Sequence, residues 1–145
     1  MSYNIKKVEV WAGDILNRPG TLARVLEALT NAGAQLEFLI ARRASSRTSR
    51  VFLAPLKSAR QKRAAVDVGL VPASGMHALR IEGPDRKGLG AEMTRAVAAR
   101  GINLRGASVA AIGRRLVAYL ALSSEDDATS AAAALRTALK NTRSK

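Results

Sequence analysis

The sequence contains no cysteine, which excludes disulfide bonds and thiolate metal sites. His77 is the only histidine, and the sequence places no serine or aspartate in a recognisable catalytic relation to it. No apolar run approaches the roughly 20 residues of a membrane-spanning helix. The first residues include Lys6, Lys7 and Glu9 and lack the apolar block of a signal peptide. We therefore expect a soluble, cytoplasmic, non-catalytic protein that uses no metal or other cofactor.

Aromatic residues make up only 3% of the chain, so its core must be built from Ala, Val, Leu and Ile. The hydrophobic content of 48% and the mean hydropathy of −0.02 indicate a packed protein rather than a disordered one. A length of 145 residues suits one ordinary domain or two small ones.

Acidic residues are also scarce: 11 stand against 24 basic residues, for a net charge of +13. The excess is +7 over residues 1–72 and +6 over residues 73–145, so it is spread along the chain. The densest basic stretches are residues 42–50, 57–63 and 113–115. These stretches are typical of a solvated loop, helix face and turn, and they also suit an anionic partner such as nucleic acid.

The chain repeats itself with an offset of 68 residues. Superposing Gly20 on Gly88 also superposes Gly33 on Gly101, and an apolar stripe with helical spacing lies between the two glycines of each copy. The stripes are Leu22, Val25, Leu26, Leu29 and Ala32 in the first copy and Leu89, Met93, Ala96 and Val97 in the second. A glycine just beyond the last apolar position is typical of a helix end, so we predict one amphipathic helix here in each copy.

Alternating or apolar-rich runs flank these helices and indicate strands. In the first copy we predict strands at Val8–Ala12, Gln35–Arg43, Arg50–Leu56 and Asp67–Pro72 and a second helix over Lys57–Val66. In the second copy we predict strands at Ala78–Gly83, Ile102–Ile112 and Leu116–Ser123 and a last helix over residues 124–140. The order is β-α-β-β-α-β in residues 1–72, a linker at 73–76, and β-α-β-β-α in residues 77–145.

The second copy lacks its own final strand, because the polar residues 141–145 are unsuited to form one. Either its sheet stops one strand short or another chain completes the edge. The second possibility predicts a homo-oligomer, a dimer or larger.

Four segments carry a family resemblance. The run NRPGTL (residues 17–22), followed by a helix and AGAQLEF, resembles the ACT domain, and PDRKGLG with RGINL resembles a second, more diverged copy. The resemblance covers nearly the whole chain as a tandem pair. It implies two α+β, ferredoxin-like domains that associate through sheets or helices and bind small molecules, typically amino acids, at a junction between domains. It further implies a regulatory or sensor protein that controls an enzyme partner.

An amino-acid effector needs donors for its carboxylate and acceptors for its ammonium group. The free amides of a helix N-terminus supply donors, and glycine permits close approach. The backbone candidates are Gly20, Thr21 and Leu22 in the first copy and Gly88, Leu89 and Gly90 in the second. The side-chain candidates are Asn17, Arg18 and Gln35 in the first copy and Asp85, Arg86 and Asn103 in the second.

The family pattern leaves the effector open. Asn17 and Asn103 match the polar positions that the resemblance implies, whereas Gln35 and Asp85 stand where asparagine is expected. Ile15 stands where some serine-binding members carry histidine. The same Pro-Gly junction also suits a tightly packed α+β unit that binds no ligand.

Two other functional classes remain open from the sequence. The β-α-β-β-α-β order also serves RNA-binding modules, and the positive charge would attract phosphates, although Trp11, Phe38, Phe52 and Tyr119 are too scattered for the usual stacking platform. Nucleic acid is therefore the less favoured partner. A pure oligomerisation module is the third possibility.

Overall fold

The computed structural model describes residues 2–140 of the chain, which form two compact units. One unit spans Glu9–Ser74, and the other joins the segment up to Val8 with the chain from Gly75 onward. The elements of the first are β2 (Trp11–Leu16), α1 (Thr21–Asn31), β3 (Phe38–Arg43), β4 (Thr48–Ala54), α2 (Ala59–Asp67) and β5 (Val71–Pro72). Those of the second are β1 (Asn4–Val8), β6 (His77–Pro84), α3 (Leu89–Ala98), β7 (Gly106–Ile112), β8 (Arg115–Leu122) and α4 (Glu125–Lys140).

Each unit has a four-stranded antiparallel sheet with two helices on one face. The strand orders are β3-β4-β2-β5 and β7-β8-β6-β1. Both units therefore have the same arrangement, with β1 in the place that β5 occupies in the other sheet. The predicted α+β class with two ferredoxin-like repeats is confirmed.

The missing strand of the second repeat comes from the start of the chain. β1 pairs with β6 along its full length, from Asn4 opposite Glu82 to Val8 opposite Ala78. The predicted strand Val8–Ala12 is wrong, because it spans the end of β1 and the start of β2. The structure thus differs from the predicted division, which assigned all of residues 1–72 to the first domain. The prediction for residues 141–145 lies outside the described residues.

The core of the Glu9–Ser74 unit lies between the sheet and its two helices. The predicted stripe of α1 is buried at Val25 and Leu29, which pack with Val51 and Leu53 of β4. α2 begins after Ser58, whose side chain accepts a hydrogen bond from the amide of Gln61 and so caps the helix.

The core of the second unit relies on small residues. α3 buries Leu89, Met93 and Val97, as its stripe predicts. α4 buries four alanines together with Leu135 and Leu139, and these small side chains let it pack closely on the sheet and α3. Within residues 2–140, none of the helices has the length and apolar character needed to cross a membrane.

Gly13 of β2 is a position where the fold tolerates no side chain. A Cβ atom there would lie 2.5 Å from the carbonyl oxygen of Gly69 and 2.8 Å from Cδ2 of Leu70. We therefore expect Gly13→Ala to lower the free energy of unfolding by about 1–3 kcal/mol, through overpacking. Urea denaturation measures this loss. Gly106→Ala is the control, because its Cβ would meet only Cβ of Ala121, at 3.9 Å, and equal losses in both variants would contradict the prediction.

Candidate functional site

The NRPGTL segment forms a tight turn between β2 and α1. The amide of Thr21 donates to the carbonyl of Arg18 at 3.3 Å, and Gly20 has φ 87° and ψ −13°. These values are those of a type II turn, which favours proline at its second position and requires glycine or asparagine at its third. Pro19 and Gly20 therefore shape the turn, and the helix begins at Thr21, two residues after the proline.

This turn leaves the N-terminus of α1 open, and we call it the first corner (residues 17–23). No side chain caps the helix and its first turn has no acidic residue. Within the described part of the chain, the amides of Gly20, Leu22 and Ala23 have no hydrogen-bond acceptor, whereas that of Thr21 closes the turn. A Cβ placed on Gly20 would meet no atom within 4 Å. The corner thus offers unused donors beside open space.

Asn17 connects the first corner to the turn between β3 and β4. Its backbone amide donates to the carbonyl of Arg47 at 2.8 Å, and its side-chain nitrogen donates to the carbonyl of Ser46 at 3.3 Å. These bonds orient the side chain and leave its amide oxygen available as an acceptor. Arg18 is exposed.

The second corner (residues 85–92) repeats this geometry in the other unit. The amide of Leu89 donates to the carbonyl of Arg86 at 3.2 Å, and Gly88 has φ 82° and ψ 2°, again a type II turn. The amide of Asp85 donates to the carbonyl of Arg114 at 2.8 Å, just as that of Asn17 does to Arg47. A Cβ on Gly88 or Gly90 would meet nothing within 4 Å.

The two corners differ in charge. In the second corner Glu92 lies in the first turn of α3, and its carboxylate accepts from Nη2 of Arg86 at 2.5 Å. This bond raises the pKa of Arg86. Nε of Arg86 is buried without a partner within the described residues. The second corner therefore has an internal carboxylate beside its helix N-terminus, and the first corner has none.

Glu82 of β6 joins two arginines on the sheet face opposite the helices. Its carboxylate accepts from Nη2 of Arg115 at 2.9 Å and from Nη1 of Arg80 at 3.2 Å. Nε of Arg80 in turn donates to the hydroxyl of Tyr119 at 3.1 Å. The bonds from Arg115 and then Arg80 lower the pKa of Glu82.

The lowered pKa of Glu82 predicts a pH-dependent contribution to stability. Because the folded-state pKa lies below the unfolded value of about 4.3, the contribution is present above that value and is lost as pH falls through the folded pKa. We expect Glu82→Gln to be less stable than wild type at pH 7, with a smaller difference at pH 3. Urea denaturation at the two pH values measures this, and a difference that is unchanged at pH 3 would contradict it.

Gln35 does not lie beside the first corner. α1 separates them, and its 11 residues span about 16 Å. Gln35 instead lines an open depression of about 470 Å³ with Leu26, Leu36 and Leu39 near the start of β3. Asn103 is likewise exposed beyond the far end of α3. Within one unit, the predicted polar residues therefore fall into two separate groups.

Two features of the corners were missed in the sequence. The carbonyls of Ser46 and Arg47, which hold Asn17, belong to a loop that the sequence identifies only as basic. Glu92 as a partner of Arg86 could have been inferred, because acidic residues favour the first helical turn.

The geometry so far defines a protein of two ferredoxin-like α+β units, each with an open turn at the N-terminus of its first helix. Comparison with family models then gives one match: residues 77–143 match the ACT domain. This part of the chain is similar to the ACT domain family. A search of curated proteins gave no match.

Solved structures are similar to the chain as a whole. The regulatory subunit of aspartate kinase from Thermus thermophilus, in its ligand-free form, has a TM-score of 0.68 at 19% identity. The alignment covers 95% of this chain and 97% of the subunit's chain. A protein from Bacteroides thetaiotaomicron has a TM-score of 0.75 at 15% identity, with coverage of 93% and 89%. E. coli aspartokinase III, in complex with aspartate and ADP, has a TM-score of 0.58 at 15% identity, with coverage of 96% and 33%. At these identities the likeness concerns the fold.

Proposed function

We propose that this protein is a non-catalytic regulatory module in which two ACT-type units in tandem sense an amino acid. The observation that carries the proposal is the first corner, where unused amides of Gly20 and Leu22 face open space at a helix N-terminus. Such amides suit the carboxylate of an amino acid. The ACT match of the second unit and the similarity to a regulatory subunit support the regulatory role.

The separation of the two polar groups bears on how a complete site is built. A free amino acid is too small to reach from Asn17 to Gln35 across about 16 Å of helix. We infer that the corner of one unit binds the effector together with a Gln35 or Asn103 group from another copy of the chain. This arrangement requires a homo-oligomer.

The first corner is the stronger candidate for an effector carboxylate. Glu92 places a carboxylate at the second corner, where it would repel that of a ligand, and Arg86 is already paired with it. At the first corner Arg18 is exposed and free to act as a clamp, and Asn17 can accept from the ammonium group through its amide oxygen. We include Asp85, Leu89 and Gly90 as weaker contacts of a second site.

A calorimetric screen of the twenty amino acids tests this function. We expect one of them, or a few, to bind with a millimolar or lower dissociation constant and with one ligand per first corner. Sedimentation run in parallel should show a dimer or larger species. If all twenty give no heat while the oligomer persists, the chain is an oligomerisation module and the proposal is wrong.

A further inference from the structure

The turn that joins β3 to β4 holds Asn17 through its backbone carbonyls, and its side chains form a separate, exposed basic surface. We call residues 42–50 the arginine hairpin. Its four arginines, Arg42, Arg43, Arg47 and Arg50, are all exposed. The hydroxyl oxygen of Ser45 accepts from the amides of Arg47 and Thr48, both at 3.1 Å, so the turn is ordered by its own hydrogen bonds. The wider segment 38–66 has eight basic residues and no acidic one.

Two of these arginines lie directly opposite each other in the sheet. Arg42 of β3 is in register with Arg50 of β4, and like charges at such positions are destabilising. Arg50 is compensated by Asp14 at 3.0 Å, and its guanidinium lies 5.4 Å from the centre of the Phe52 ring. Within residues 2–140, Arg42 and Arg47 form no ion pair. The hairpin thus holds positive charge that an anion would stabilise.

The fold itself does not require this charge. The equivalent turn of the other unit, between β7 and β8, is shorter and has only Arg114 and the adjoining Arg115, of which Arg115 is paired with Glu82. Within residues 2–140, the first repeat therefore has more arginines without an ion pair at this position than the second.

The composition of the hairpin tip identifies the kind of anion. Residues 43–48 have arginines, two serines and a threonine but no large apolar side chain. Interfaces with proteins are typically centred on buried aromatic or apolar side chains, and the tip offers none. Phosphate oxygens are bound by arginine, serine and threonine side chains without any apolar contact. Binding to the phosphodiester backbone of a nucleic acid also needs no aromatic side chains that stack on its bases.

We propose that the arginine hairpin binds the phosphodiester backbone of nucleic acid without reading its bases. Arg42, Arg43 and Arg47 each contact a phosphate, and the hydroxyls of Ser46 and Thr48 add donors. These phosphate contacts use side chains that the proposed amino-acid site does not use, although the backbone carbonyls of Ser46 and Arg47 hold Asn17.

Fluorescence anisotropy with labelled 20-nucleotide single-stranded RNA, single-stranded DNA and duplex DNA tests the proposal between 50 and 200 mM salt. The hairpin variant is Arg42→Gln/Arg43→Gln/Arg47→Gln. The control is Lys57→Gln/Lys62→Gln/Arg63→Gln, which removes the same charge from exposed positions of the same unit. Circular dichroism and Trp11 fluorescence check that both variants are folded. If the triple hairpin variant does not fold, Arg47→Gln alone replaces it.

We expect the wild-type protein to bind at least one of the three nucleic acids. The logarithmic salt slope of the hairpin variant should be shallower by about 2 for a single strand, from about 0.7 per lost phosphate contact. The three lost phosphate contacts account for about a 20-fold change in affinity between 50 and 200 mM salt. Arg47→Gln alone should lower the slope by about 0.7. The control should keep the wild-type slope within about 0.5.

Three results would overturn the proposal. The first is the absence of binding to all three nucleic acids at 50 mM salt. The second is an equal loss in the hairpin and control variants, which would mean that only net charge matters. The third is competition by poly-glutamate as strong as that by RNA of equal length, which would make the hairpin a site for acidic proteins.

Discussion

Ile5→Asp should lower the free energy of unfolding of the unit that contains β1 by about 4 kcal/mol or more, since it buries an unpaired charge. Ile5 is 8% exposed and packs in the core with Leu79 and Ile81. Two hydrogen bonds also hold its strand. Nη2 of Arg136 donates to the carbonyl of Ile5 at 3.2 Å, and the hydroxyl of Tyr3 donates to the carbonyl of Pro84 at 2.7 Å. Ile5→Asp therefore disrupts a strand that is packed in the core and held by these two hydrogen bonds.

Lys6→Gln is the matched control. It makes the same change in net charge one residue further along β1, but Lys6 is exposed on the opposite face of the sheet, so we expect a change below about 0.5 kcal/mol. Urea denaturation separates the units, because Trp11 reports on the Glu9–Ser74 unit, whereas Tyr3 and Tyr119 lie in the other. A loss of stability detected by Trp11 fluorescence but not by tyrosine fluorescence would contradict the placement of β1 in the second unit.

Gly20→Leu should abolish effector binding while the protein stays folded. The new side chain would project from the first corner into the space beside the amides of Gly20 and Leu22, where the carboxylate is proposed to lie. Because Gly20 has a left-handed conformation, we also expect a loss of about 1–2 kcal/mol in the free energy of unfolding. Calorimetric titration with the amino acid found in the screen measures the affinity.

Gly69→Leu is the control that separates the effect of backbone strain from the effect of filling the proposed ligand space. Gly69 has φ 89° and equally open surroundings in the same unit, but it follows α2 and lies outside the corner. It should lose similar stability and keep the wild-type affinity. Unchanged affinity in Gly20→Leu would remove the first corner from the site, and equal loss in both variants would show that binding responds to strain alone.

The repeat and its helices could be predicted because their signals are local. The stripes that bury Leu29 and Met93 recur every three to four residues, and the Pro-Gly pair marks the first corner directly. The strand pairing of β1 could not be predicted, because the paired residues lie at least 70 positions apart in the sequence. Only Ile5 of β1 is buried, so NIKKV carries too little pattern to reveal a strand.

The limits of β2 were mispredicted for a related reason. Gly13 and Asp14 are unfavourable in strands, yet both belong to β2. Gly13 is required by the close approach of the Gly69 carbonyl, and Asp14 is paired with Arg50 across the sheet. Both reasons are tertiary contacts, which the sequence does not show.

The site was predictable as far as its backbone turns. The pairing of Arg86 with Glu92 and the separation of Asn17 from Gln35 needed coordinates.

The most direct test of the amino-acid site is a titration of the ¹⁵N-labelled protein followed through its backbone amide resonances. With the effector found by calorimetry, we expect the largest shift changes at Gly20, Leu22 and Ala23, with smaller ones at Gly88 and Gly90. Saturating changes confined to residues outside both corners would contradict this expectation.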